Sequence, residues 1–148
     1  MNEALKPYVT AVDHVGIAVP DLDEAIAFYR DTLGFELAHV ETNERQGVRE
    51  AMMRAPGDAG TGTAIQLLAP LGPDTTIGRF LDRRGPGVQQ VALRVTDLVA
   101  VSDALRANQI RVLYDEPRTG TENSLTNFVH PKDTGGVLIE LVEPAGTE

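Results

Sequence analysis

Two stretches of strict alternation lie far apart in this chain. In Val12–Val19, "VDHVGIAV", the residues Val15, Ile17 and Val19 fall on one side and His14, Gly16 and Ala18 on the other. In Val88–Val95, "VQQVALRV", Val91, Leu93 and Val95 oppose Gln90, Ala92 and Arg94. A period of two predicts a strand in each place. Beyond each strand the period lengthens to that of a helix with one buried face. Leu22, Ala25, Ile26, Tyr29 and Leu33 form the first stripe, and Leu98, Val101 and Leu105 the second. Asp21, with Glu24 three residues on, and Asp97 supply N-caps, while Gly34 and Asn108 mark the stops. Three extended stretches follow each helix: Phe35–Val40, Val48–Arg54 and Thr63–Leu68, then Arg111–Tyr114, Leu125–Val129 and Gly136–Val142. The turns "APGDAGTG" and "PKDTGG" precede the last strand of each set. A short helix, "TTIGRFLDRR", links the two sets and turns Ile77, Phe80 and Leu81 inward. The predicted grammar is βαβββ, twice.

The repetition extends to residues. "HVGIAVPDL" (His14–Leu22) and "QVALRVTDL" (Gln90–Leu98) are identical at four of nine positions, 76 residues apart. "AIQLLAP" (Ala64–Pro70) resembles "LIELVEP" (Leu138–Pro144) at a spacing of 74. Two copies are too few for a solenoid, and pair more naturally about a pseudo-twofold axis. The expected fold is α+β. It is one domain spanning residues 1–148, with a first βαβββ module at 10–70, a bridging helix and loop at 71–85 and a second module at 86–144. Together the modules are expected to form a curved mixed sheet.

Composition narrows the functional classes. A chain of 148 residues can bury one core, and its 42% apolar and 24% charged residues are ordinary for a globular protein. A net charge of −9 argues against nucleic acid or an anionic membrane as partner. The lack of cysteine excludes disulfides and thiolate chemistry. The first ten residues lack the apolar run of a signal peptide, and nothing approaches the ~20 apolar residues of a membrane span. The expectation is a cytoplasmic protein.

The chemistry sits opposite the helix-facing side. A strand under a helix buries its β-branched face there. The other face of these strands carries small residues and one polar group, which suits a cavity wall. His14 and Gln90 are such groups on the first strands. On the last strands Ala64, Gln66 and Leu68 share a face, as do Leu138, Glu140 and Val142, so Gln66 matches Glu140. A carboxylate buried alone is very costly unless paired or bound to a metal. Taken singly, each residue is more readily structural: a surface glutamine, or a hydrogen-bonded core histidine. The repeat singles out all four without reference to metal chemistry. If the modules close about a twofold axis, the four converge as a mixed nitrogen and oxygen donor set for a divalent cation.

The chain resembles the methylmalonyl-CoA epimerases, of the vicinal oxygen chelate (glyoxalase-like) superfamily. The resemblance runs from "DHVGIAVPDLDEAIAFY" through "ETNERQGVREAM", "IQLLAPLGPDTTIGRFLDRRGPGV" and "LYDEPRTG" to "NFVHPKDTGGVLIELVE". Of these, "QGVREAM" and "HPKDTGGVLIEL" are specific to the epimerases. The likeness implies paired βαβββ modules around a metal site. It implies His14, Gln66, Gln90 and Glu140 as metal ligands, and inversion of methylmalonyl-CoA at C2 through an enolate. It also implies Glu50 as one base, Glu140 as the other as well as a ligand, and Gln46, Ser124 and Lys132 as substrate contacts. The cofactor implied is a divalent metal, cobalt ahead of nickel, zinc, manganese or magnesium. The partner is an acyl-CoA, and the assembly a homodimer. Gln90 stands where most members have histidine, and Leu125 where arginine is frequent. Val48, Glu50 and Met52 alternate together, which puts Glu50 on a partly apolar face where its pKa should rise. Without the resemblance, Glu50 reads as a surface glutamate paired with Arg49 or Arg54. His130 reads as a turn residue, His39 as half-buried structure beside Phe35 and Leu37, Gln89 as no ligand, and Arg118 and Arg45 as solvated cations within reach of CoA phosphates. Rival readings are a glyoxalase-type isomerase, an extradiol dioxygenase, which needs a second histidine among its ligands, and a metal-free binding protein on the same scaffold.

Overall fold

The computed structural model describes residues 5–146. The elements run β1 (Val9–Ala18), α1 (Leu22–Ala27), β2 (Glu36–Asn43), β3 (Val48–Arg54), β4 (Ala64–Pro70), α2 (Thr76–Arg84), β5 (Gly87–Val95), α3 (Leu98–Ala107), β6 (Arg118–Thr119), β7 (Leu125–Val129) and β8 (Ile139–Glu143). The chain divides into two compact units. One is His14–Gln89; the other joins the stretch up to Asp13 to the stretch from Gln90 onward. No described helix is long and apolar enough to cross a membrane.

In the His14–Gln89 unit the strands lie in the order β2-β3-β4-β1, antiparallel except for the parallel β1/β4 pair. Asp21 caps α1 by accepting from the Glu24 amide at 3.0 Å. Leu22 and Ile26 then bury against Val19, Ala51, Met53, Leu67 and Ala69, with Ile17, Ala25, Tyr29, Phe35 and Ile65 packed around them. Fully burying one such large aliphatic side chain contributes about 1.5–3 kcal/mol. After Ala27 the helix widens into a π-helical turn, Phe28–Thr32, in which the Leu33 amide reaches back to the Phe28 carbonyl at 3.2 Å. The wider turn rotates Leu33 off the expected stripe and leaves it 49% exposed. On the opposite sheet face Ala18, Val48 and Leu68 receive Ile77, Phe80 and Leu81 of α2, as the apolar spacing predicts.

A bulge in β2 changes which way its side chains face. Leu37 pairs with Met53, but His39 pairs with Met52 and Glu41 with Glu50. In a regular strand His39 and Glu41 would share the α1-facing side with Leu37. The extra residue transfers both to the opposite face, the one that carries Glu50. Gly47 closes the hairpin into β3 with φ +70°, and a Cβ there would stand 2.5 Å from Thr75 Cγ2. Only glycine allows this turn to abut the start of α2.

The second unit repeats the order: β5/β8 parallel, β8/β7 and β7/β6 antiparallel. Asp97 caps α3 through the Ala100 amide at 3.1 Å, and Leu98, Val101 and Leu105 bury against Val95, Val129 and Leu141. The beginning of β1 belongs to this unit. The Thr96 amide donates to the Tyr8 carbonyl at 2.9 Å, and Arg94 Nε meets Asp13 Oδ1 at 2.8 Å. These bonds draw the strand back to Val9, three residues before the predicted start.

The strand expected at Arg111–Tyr114 is absent. Only an isolated bridge, Val112 to Val129, forms there. Two backbone bonds to the β7 segment, Leu113 N to Phe128 O at 2.8 Å and His130 N to Arg111 O at 2.9 Å, are joined by side chains in place of a full ladder. The buried Asn127 amide accepts from Tyr114 N and donates to Tyr114 O, both at 3.0 Å. The Asp133 carboxylate takes the Arg111 amide at 2.8 Å and its guanidinium at 3.0 and 2.9 Å. The ladder partner of β7 is instead the two-residue β6.

Asn127→Ala strands the Tyr114 amide and removes one donor from the Tyr114 carbonyl, which keeps Arg106 Nη2 at 2.7 Å. It should cost about 1–3 kcal/mol in urea unfolding, with faster hydrogen exchange at Tyr114. The Arg111 side-chain hydrogen bonds, then its amide, hold the Asp133 carboxyl well below the usual carboxylate range. A depressed carboxyl contributes stability above its unfolded pKa and loses it as pH falls towards the folded one. The stability gap between the native protein and Asp133→Asn should therefore be constant at neutral pH and close below about pH 4, as denaturant titrations across pH would show.

Candidate functional site

Five of the strand residues singled out by the sequence are buried, and each unit gathers its own share on the sheet face away from its capped helix. In the His14–Gln89 unit the register pairs Gly16 with Gln66 and His14 with Ala64. Across the next ladder Met52 pairs with Gln66 and Glu50 with Leu68. Cross-strand partners share a face, and so do residues two apart. His14, Gln66 and Glu50 therefore form a diagonal across β1, β4 and β3. They are 3%, 4% and 3% exposed. Gln66 Nε2 donates to Glu50 Oε2 at 3.1 Å. The surface ion pairs considered for Glu50 do not form, because Arg49 turns to Asp23 and Arg54 to Asp58, each at 3.3 Å. Glu50 is thus a buried carboxylate among Val48, Met52 and Leu68, held by an amide.

The second unit reproduces the arrangement with the types exchanged. Ala92 pairs with Glu140, as Gly16 does with Gln66. Gln90 lies diagonal to Glu140, as His14 does to Gln66. Gln90 Nε2 donates to Glu140 Oε1 at 3.3 Å, and both residues are buried. Phe128 takes the place of Met52, and Thr126, opposite Val142, takes that of Glu50. Sequence reasoning missed Thr126, which is 2% exposed. The 76-residue spacing that relates His14 to Gln90 also carries Glu50 onto it. Thr126 Oγ1 donates to the Arg118 carbonyl at 3.3 Å. Gly120 crosses so closely that a Cβ there would come within 2.6 Å of Thr126 Cγ2.

The expected substrate contacts are more scattered. Ser124 is buried just before β7. Gln46 lies in the β2–β3 turn, its amide bonded to Asn43 Oδ1 at 3.1 Å. Lys132 is exposed in the turn before β8. His130 caps that turn by accepting the Lys132 amide at 3.1 Å. Arg118 stacks on the Tyr114 ring, with Cζ 3.7 Å from its centroid. His39 is half-buried as expected, but against Glu41, at 2.6 Å, and on the Glu50 face. The bulge hid this from the alternation.

Each unit holds buried donors of kinds that suit a divalent cation, His14 and Gln66 in one and Gln90 and Glu140 in the other, and in each the glutamine amide nitrogen is committed to a carboxylate. That commitment turns the amide oxygen, the end able to ligate a cation, away from the carboxylate. Among the described residues no three His, Asp or Glu side chains cluster as a metal site. The set implied here has only two such residues, and its other two members are glutamines.

A family model described as the glyoxalase/bleomycin resistance protein/dioxygenase superfamily matches residues 13–128. The crystal structure of methylmalonyl-CoA epimerase from Mycobacterium tuberculosis is 54% identical, with a TM-score of 0.89 over 99% of this chain and 93% of that one. A methylmalonyl-CoA epimerase solved in complex with methylmalonyl-CoA and NH4+ is 46% identical, with a TM-score of 0.89 over 95% and 98% of the two chains. The ethylmalonyl-CoA/methylmalonyl-CoA epimerase of Cereibacter sphaeroides is 38% identical over 132 residues, 88% of this chain and 95% of its own. The paired βαβββ grammar, the buried polar diagonals and these likenesses agree: the chain belongs to the glyoxalase/bleomycin resistance protein/dioxygenase superfamily and, within it, to the methylmalonyl-CoA epimerases.

Proposed function

We propose that this chain inverts the configuration of methylmalonyl-CoA at C2, by removing the C2 proton and returning one to the opposite face. The observation that carries the reading is Glu50: a carboxylate 3% exposed on an apolar strand face, with Gln66 Nε2 at 3.1 Å. Burial at such a cost is expected where a group has chemistry to do. The likeness to the ethylmalonyl-CoA/methylmalonyl-CoA epimerase of Cereibacter sphaeroides and to the epimerase solved with methylmalonyl-CoA supports it.

The C2 hydrogen of methylmalonyl-CoA lies between a thioester and a carboxylate. Glu50 takes that proton, and the C–H electron pair passes into the thioester carbonyl to give an enolate. Glu140 supports the second role, delivery of a proton to the other face of C2, because it is the carboxylate of the matching buried diagonal. Inversion needs both groups, since a single base returns the proton to the face it came from. Gln66 fixes the Glu50 carboxylate through its amide, and Gln90 does the same for Glu140. His14, Gln66, Gln90 and Glu140 would hold a divalent cation, which when bound supplies positive charge to the oxygens where the enolate develops. One nitrogen and three oxygen donors suit a borderline ion, and cobalt is our choice ahead of nickel, zinc, manganese and magnesium. Ser124, Gln46 and Lys132 are assigned to the acyl-CoA. The reading extends to a homodimer, for which the exposed Val9 and Val12 of β1 offer apolar surface. It also extends to the cytoplasm, with which a cysteine-free chain is compatible.

Methylmalonyl-CoA incubated with the protein in deuterated water should acquire deuterium at C2, read by mass spectrometry and proton NMR; an unlabelled substrate would end the proposal. Glu50→Gln keeps the shape of the side chain but cannot accept the proton, and should lower kcat/KM by about 10²–10⁴. Cobalt binding by equilibrium dialysis should weaken in Gln90→Ala and be lost in His14→Ala. Unchanged affinity in both variants would show that these residues do not hold the ion.

A further inference from the structure

We propose that His39 and Glu41 form the path by which Glu50 exchanges its proton with solvent. The proposal rests on the assignment of Glu50 as the base. A base that is 3% exposed has a problem after turnover. The proton taken from substrate must leave before the same face of C2 can be deprotonated again, yet the carboxyl is sealed among Val48, Met52 and Leu68. The neighbouring strand supplies an exit. Glu41 stands directly opposite Glu50 in the β2/β3 ladder, on the same face, and opposite side chains have Cβ atoms about 4.5–5.5 Å apart. Glu41 Oε1 lies 2.6 Å from His39 Nε2. Exposure rises along the series, from 3% at Glu50 to 27% for the Glu41 side chain and 34% for that of His39. The three residues form a graded line from the sealed face to the edge of the sheet.

This line exists only because of the bulge between Leu37 and His39. Without the extra residue both side chains would point to the α1 side, and Glu50 would face Val40. Bulges recur where a side chain must be re-aimed. The transfer is balanced at each stage. Glu50, protonated by substrate, passes its proton to the Glu41 carboxylate and returns to the anion. Glu41 passes it to His39 Nε2, forming an imidazolium. Water removes a proton from the imidazolium and restores the neutral ring.

The path acts on the free enzyme after product leaves, so it belongs to kcat and not to kcat/KM. Glu41→Gln and His39→Gln should therefore each lower kcat by about tenfold or more while kcat/KM stays within about twofold. Added imidazole buffer should restore kcat in both variants with a saturable dependence, and should do little to the native protein. A purely structural role would lower kcat and kcat/KM together and give no response to imidazole. That result, or unchanged kcat in both variants, overturns the proposal. Glu50→Gln in the same assay separates the two failures. If it loses activity while the β2 variants behave as the native protein, the base stands and the path falls. If it retains full activity, both fall.

Discussion

The cost of burying a carboxylate governs the rest of this structure. Glu50 and Glu140 both sit on apolar sheet faces, and each is met by the amide nitrogen of a glutamine on a neighbouring strand. A bare carboxylate in such a place costs several kcal/mol and would protonate or drive the strand to the surface. A neutral amide satisfies the oxygen without cancelling its charge. The carboxylate thus keeps its charge while the sheet stays packed. A lysine or arginine at Gln66 would pair with Glu50 more strongly.

The helices make these faces possible. α1 and α3 each absorb the branched aliphatic side of their sheets, which frees the opposite side from the task of forming the main core. In the His14–Gln89 unit that free side is shared, with α2 covering Ala18, Val48 and Leu68 and leaving His14, Gln66 and Glu50 as the polar remainder. The packing of α2 therefore bears on chemistry as well as stability: it keeps Val48 and Leu68, the neighbours of Glu50, dry.

Duplication followed by divergence explains the division of labour. Equivalent positions hold His14 and Gln90, Gln66 and Glu140, and Glu50 and Thr126. In a symmetric pair of halves any carboxylate would recur at the equivalent place on the other diagonal. Exchanging types leaves one carboxylate on each diagonal, at non-equivalent places. Thr126 keeps the volume of the position but not its charge, and Gly120 closes over it.

Much of this was legible along the chain. Period two, period 3.6 and the caps Asp21 and Asp97 depend on nearest neighbours, so they located β1, α1, β5 and α3 and the faces of Val48–Arg54 and Ala64–Pro70. The repeat spacing picked out His14, Gln66, Gln90 and Glu140, all of which are buried. Register lay beyond that reach. The bulge that turns His39 and Glu41, the π-turn that expels Leu33, and the capture of Arg111–Tyr114 by Asn127 and Asp133 are each set by partners distant in sequence. Alternation records which residues share a side of one strand. Which strand lies beside it, and at what offset, depends on hydrogen bonds closed only in the folded chain. Local pattern therefore determined the elements and their polar positions, while tertiary pairing decided that Glu50 is held by Gln66 and faces Glu41.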